Sequence, residues 1–156
     1  FKVEAPPYKG GEVDFFRDFS EWAVNAGFRE AALVGGLDSS LKFDETTFRL
    51  VHTRAYKPAG VLELAPRLED EHIIVGPVAI MLNFFEARGF PAFAILSYAS
   101  TERVDPRATA SAISVLSKHY VFEVDVTPLI KGAEALESEV ARQEAKISRS
   151  GESIYT

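Results

Sequence analysis

Three histidines, His52, His72 and His119, are the side chains of this sequence best suited to bind a metal or move a proton near neutral pH. Their spacing argues against metal binding in its simplest form. None has a second histidine three or four positions away, so no helical turn presents a metal-binding pair. His72 follows Glu69-Asp70-Glu71, a carboxylate run that could attract a cation, but such a run ahead of a strand reads more simply as a solvated loop. Cysteine is absent, which removes thiolate metal sites, disulfides and a thiol nucleophile together. Gly35-Gly36, after a short apolar run and shortly before Ser39 and Ser40, is a candidate anion site, because backbone N–H groups of a glycine loop can cradle phosphate. Gly76, ahead of Pro77 at a helix start, is a second candidate, although the proline lacks one of the donors. The spaced-glycine dinucleotide fingerprint and the lysine-bearing phosphate loop are both missing, and no Gly-x-Ser-x-Gly elbow occurs. No catalytic set emerges, so the expectation is a protein that is not an enzyme and needs no metal or cofactor.

Composition narrows the class further. The 156 residues are 47% hydrophobic and 26% charged, enough for one globular domain with a real core. Seventeen basic against 23 acidic residues give a net charge of −6, which argues against a broad nucleic-acid surface. No apolar run approaches the ~18 residues of a membrane helix. A cytoplasmic protein is expected. The chain opens at Phe1 without a signal-peptide pattern, and the simplest expectation is that an N-terminal portion was removed or lies outside this sequence.

The elements that would position these residues alternate along the chain. Val13, Phe16, Phe19 and Ala23 recur at helical steps within residues 12–26, and Gly27 stands where a helix-ending glycine belongs. Ala31–Val34 reads as a buried strand stopped by Gly35-Gly36. Phe48–Tyr56 alternates like an edge strand, and Ile73–Val75 reads as another short strand. Pro77 opens a helix that Gly89 closes, and Ala92–Tyr98 is a strongly apolar strand. Asp105-Pro106 caps a helix to about Lys118, Phe122–Val126 could be a last strand, and Thr127-Pro128 opens a helix from about Leu129 to Ser148. Interleaved helices and strands imply an α/β layered sheet with helices on its faces.

The last helix and the residues after it hold the sharper signal. Leu129, Ala133, Leu136, Val140 and Ile147 follow four–three–four spacing, with Gln143 in the missing slot. That stripe suits either packing on the domain's own sheet or a subunit interface. The chain then ends in Ile154-Tyr155-Thr156 on a tail containing Ser150, Gly151 and Ser153. Ile154 can fill an apolar pocket, Tyr155 adds a ring and a hydroxyl, and the terminal carboxylate can meet a lysine or backbone donors. Residues 1–149 are therefore expected to form one α/β domain, and residues 150–156 a flexible docking tail.

Several stretches together resemble the proteasome assembly chaperones, in the branch common in archaea and also found in actinobacteria. Trp22-Ala23-Val24-Asn25-Ala26-Gly27 leading to Ala31-Ala32-Leu33-Val34-Gly35-Gly36 resembles the family's helix and its strand ending in Gly-Gly. Ile74–Leu82, Gly89-Phe90-Pro91-Ala92, Asp105-Pro106-Arg107-Ala108 with Ala110, and Val124–Leu129 are similar to further family segments. The resemblance implies a three-layer α/β/α sandwich of nucleoside-phosphorylase-like type with a long C-terminal helix. It also implies a homo-oligomer and a role in assembling or capping the proteasome core particle. Ile154, Tyr155 and Thr156 would dock into pockets between its α subunits. The family is also labelled ATP-grasp-like, which no nucleotide motif here supports, and its usual N-terminal strand–helix portion has no counterpart before Trp22. The competing reading is a small-ligand or nucleotide-binding enzyme of phosphorylase or ATP-grasp-like type using Gly35, Gly36 and Gly76.

Overall fold

A computed structural model describes residues 7–152, with side chains described throughout except at 141 and 143–152. The first helix, α1 (Glu12–Asn25), buries Phe16, Ser20 and Ala23. Val13, expected on that face, is exposed instead, and Ser20 is accommodated because its hydroxyl donates to the Phe16 carbonyl at 2.7 Å. Gly27, at φ 81°, turns the chain out of the helix.

Three strands follow in the sheet order β1-β3-β2. Strand β1 (Ala31–Asp38) pairs parallel with β3 (Ala92–Ala99), and β2 (Phe48–His52) pairs antiparallel with the other side of β3. The central β3 is apolar from Ala92 to Leu96 and buried on both faces, as a strand flanked on each side and covered above and below must be. Helix α2 (Pro77–Ala87) precedes β3, and α3 (Pro106–Tyr120) follows it. The last helix, α4 (Thr127–Glu152), packs on α3.

Alternation along β3 divides the core. Ala92, Ala94 and Leu96 meet Leu82 and Phe85 of α2 and Ala23 of α1. Phe93 and Ile95 face the opposite way, against Leu50, Tyr56, Leu62 and Ala112 of α3. The result is helix–sheet–helix, the three-layer arrangement expected from the alternating elements.

Expectations for four elements need correction. Strand β1 does not stop at Val34: Gly35 and Gly36 stay in the ladder opposite Leu96 and Ser97. It is also not buried on both faces, because Ala32, Val34 and Gly36 face outward and Val34 is 51% exposed. Ile73–Val75 is not a strand. The outer edge of β2 is already engaged, since the Leu50 N–H donates to the Pro66 carbonyl and the Leu68 N–H to that of Leu50. Ile74 packs on the core while Ile73 and Val75 remain 88% and 81% exposed. Phe122–Val126 is an extended link between α3 and α4 that joins no ladder among the described residues. Strand β2 ends at His52, four residues short of Tyr56, where the Tyr56 N–H closes a turn onto the Thr53 carbonyl.

Candidate functional site

The glycines expected to form anion loops have structural duties. A Cβ on Gly35 would stand 2.9 Å from Leu96 Cδ2 and 3.1 Å from Val78 Cγ2, so its bare Cα lets the first turn of α2 rest on β1. Gly36 lies within the strand, not in a loop. Gly76 is the residue before α2 at φ 81°, a conformation open to glycine. The structure thus brings Gly35 and the start of α2 together, but as a packing contact.

The stripe on α4 is divided by its neighbours. Ala133 is 2% exposed at the seam with α3, Leu129 and Val140 are half-buried, and Leu136 remains 45% exposed. The seam is tied by a two-pronged pair in which Arg107 Nε and Nη2 donate to the Glu137 carboxylate at 2.9 and 3.2 Å. Arg107 stands in the first turn of α3, and α4 runs antiparallel to it. From Glu137 to Glu152 the helix continues for about another 22 Å. Ser150, Gly151 and Glu152, expected in a loose tail, belong to this helix. Ile154, Tyr155 and Thr156 lie outside the described residues.

Two polar clusters escaped the sequence reading. Arg49, 1% exposed on β2, donates through Nη2 to Asp44 and through Nε to Glu69, each at 2.9 Å, and through Nη1 to Thr46. The rings of Phe43 and Tyr98 lie 4.9 and 5.4 Å from its guanidinium carbon. Hydrogen bonds from Thr46 and then Arg49 hold the Asp44 carboxyl down at about 2. The second cluster joins three elements at the amino end of β1 and β3. The Tyr120 hydroxyl donates to Glu30 Oε1 at 2.6 Å, and His119 Nε2 lies 3.3 Å from the Tyr56 hydroxyl and 4.0 Å from the same glutamate oxygen. Burial, followed by the Glu30 charge, pushes Tyr56 up to about 12. Burial first and the hydrogen bond to Glu30 second push Tyr120 higher still. Neither set follows a recognisable motif: Phe43, Asp44, Thr46 and Arg49 are close in sequence but Glu69 and Tyr98 are distant, and the second set is scattered along the chain.

His72 and Glu69 do approach each other, at 3.6 Å, but Glu69 spends its other oxygen on Arg49. Among the described residues no group of three or more suitable side chains could hold a metal ion. Two shallow grooves, of about 280 and 380 Å³, flank the end of β2. The smaller runs along Leu82, Asn83 and Glu86 of α2, where the Glu86 carboxylate caps the Arg54 N–H at 2.8 Å. Among the described residues no helix is long and apolar enough to cross a membrane.

Known structures share this architecture. The chain is similar to Pyrococcus furiosus PbaB, described as an archaeal proteasome activator, with a TM-score of 0.70 at 19% identity over 92% of this chain and 62% of that one. It is similar to P. furiosus PbaA, an archaeal homolog of proteasome-assembly chaperone, with a TM-score of 0.67 at 20% identity over 99% and 67%. A Thermoplasma acidophilum protein of unknown function gives 0.68 at 19% identity over 99% and 63%. The chain thus spans roughly two thirds of the length of these structures. A search of curated proteins finds no match. The family model described as PAC2 aligns with residues 5–144, from ahead of α1, through the sheet and the Arg107–Glu137 seam, and into α4, and the chain belongs to the PAC2 family.

Proposed function

We propose that this protein acts by binding, as an assembly chaperone or cap of the proteasome core particle, and that Ile154, Tyr155 and Thr156 dock into pockets of the α-ring. The observation that carries this reading is membership of the PAC2 family. It is supported by the likeness to chains described as a proteasome activator and a proteasome-assembly chaperone homolog. Helix α4 is suited to the task, because it packs on α3 and carries the chain to Glu152, next to the residues proposed to dock. The protein works by surface complementarity without turnover, as a cytoplasmic homo-oligomer. The half-exposed Leu136 face of α4 is the surface through which copies would meet.

The test is capture of purified proteasome α-rings by the native chain and by a form carrying a C-terminal tag. The native chain retains the rings and the tagged form does not, since the tag displaces the terminal carboxylate. Equal capture by both would reject docking through the tail.

A further inference from the structure

We infer that the two grooves at the end of β2 form one trough that docks a short extended segment of a partner protein, apolar at its centre and ending in a lysine or arginine.

The trough opens where a neighbouring segment leaves the sheet. Pro66–Leu68 runs parallel to β2 and pairs with it only around Leu50. Had the pairing continued, His52 would have been the next residue of β2 to take part. Instead the chain turns, with the His72 N–H donating to the Glu69 carbonyl at 3.0 Å. Ile74 then returns to the core that Val51, Leu68 and Leu82 share. The groove of about 380 Å³ lies in this gap, between Val51 and His52 on one side and Leu68, Asp70 and Ile74 on the other. The groove of about 280 Å³ is lined by the same Val51 and His52 and by α2. The shared wall makes the two continuous.

That wall carries an unpaired peptide group. The Leu50 N–H and C=O face away from β3, whereas the Thr53 N–H faces it and donates to the Ala92 carbonyl at 2.9 Å. Alternation therefore turns the His52 N–H and C=O away from β3. Neither has a hydrogen-bond partner among the described residues. The imidazole is turned to the Thr53 carbonyl, with Nδ1 at 2.8 Å. A donor and an acceptor on one edge residue match an extended peptide, which offers the complementary pair at the same spacing.

One residue of edge fixes register, and side chains must supply the rest. Val51, Leu68, Ile74 and Leu82 form the floor, the rim of the core between α2 and the sheet, and take an apolar side chain. The turn end is anionic. Glu69 gives one oxygen to Arg49, and its Oε2 has no hydrogen-bond partner. Asp70 is exposed and makes no ion pair among the described residues, so two carboxylates face the single guanidinium of Arg67 there. At the α2 end, the Glu86 charge is already met by the Arg54 N–H and guanidinium. The cation of the occupant therefore belongs beside Glu69 and Asp70.

The test is an NMR titration of the full chain with the peptide acetyl-Lys-Val-Thr-Val-Lys-amide, whose two lysines let either direction place one at Asp70. Saturable shifts should appear at the amides of His52, Asp70 and Asn83. His52→Pro removes the outward N–H and leaves the bonds to β3, and it should weaken binding about fivefold or more. Asp70→Lys, at an exposed position where folding is spared, should weaken it by a similar factor, as should replacing both peptide lysines with glutamate. The inference is overturned by an absence of saturable shifts, by equal binding of the glutamate peptide, or by unchanged affinity in Asp70→Lys or in folded His52→Pro. Shifts at the same amides on diluting the protein alone would assign the trough to a second copy and overturn it as well.

Discussion

At Arg49 the chain buries a positive charge and surrounds it with partners. The guanidinium is almost fully enclosed, while Asp44 and Glu69 keep contact with water. Removing a carboxylate strands the buried cation, whereas replacing the arginine with an apolar chain of similar length removes the charge and retains packing. Glu69→Gln should therefore lower stability by about 1–3 kcal/mol, and Arg49→Met by less, as read by urea unfolding. A larger loss in Arg49→Met would contradict this account. The sign of the pH effect follows from Asp44. Its folded pKa is depressed, so its contribution is complete above the unfolded carboxylate range and is lost as pH falls towards about 2. Asp44→Asn should flatten the acid limb of the stability curve. Tyr56 behaves in the opposite sense. Its pKa is raised to about 12, so stability is complete below the ordinary tyrosine range and is lost as pH rises through that value. Absorbance titration should show Tyr56 and Tyr120 ionising last, and Glu30→Gln should bring Tyr120 down, because it removes the nearby charge and leaves a weaker, neutral acceptor in place of the carboxylate. Neither cluster could be read in the sequence. Glu30, Tyr56 and His119 become neighbours only when the amino end of the sheet meets the end of α3.

Among the elements, local chemistry was legible wherever it was sufficient. Asp105 caps α3 through the N–H groups of Arg107 and Ala108, each at 3.1 Å, with Pro106 in the first turn, as the two residues imply. Gly27 and Gly89 close α1 and α2 at positive φ. Misreadings arose where a neighbouring element decided. Gly35-Gly36 looked like a stop because glycine permits a turn, yet the ladder to β3 runs through it. Ile73–Val75 has the composition of a strand, but the adjoining edge of β2 is occupied. The two glycines should respond differently to substitution. Gly35→Ala forces α2 off β1 and should cost about 1–3 kcal/mol. Gly36→Ala meets only ordinary contacts at 3.7 and 3.8 Å, and its effect should fall between neutral and a gain of about 1 kcal/mol. Val121, after α3, holds φ at 54°, a left-handed conformation that is strained for a β-branched residue. Val121→Gly should raise the melting temperature by about 2–4 °C, the equivalent of roughly 1 kcal/mol. On α4, Leu136→Asp should leave the fold of the single chain intact, because Leu136 is half-exposed there. Its effect should appear in sedimentation, as loss of the proposed oligomer. Ala133→Asp, at the α3 seam, should unfold the last two helices from each other.

For the molecule as a whole, the sheet and its flanking helices form a scaffold that carries α4 as far as Glu152, next to the residues proposed to dock. On the proposed function, each tail alone should bind weakly, since ordering a docking peptide costs about 2–5 kcal/mol. Several tails on a symmetric oligomer, facing several pockets on a ring, could gain ~10²–10⁴ through avidity. On that reading docking depends on both the tail and the assembly, and the two separate experimentally. Leu136→Asp should weaken ring binding by reducing the number of tails presented, while Tyr155→Ala should weaken it with the oligomer unchanged. The most direct measurement of the central claim is surface plasmon resonance of purified α-rings against the native chain and a form lacking Ile154–Thr156, with the oligomeric state checked for both. The account predicts saturable binding by the native chain and none by the shortened form at the same oligomeric state, and equal binding by the two would contradict it.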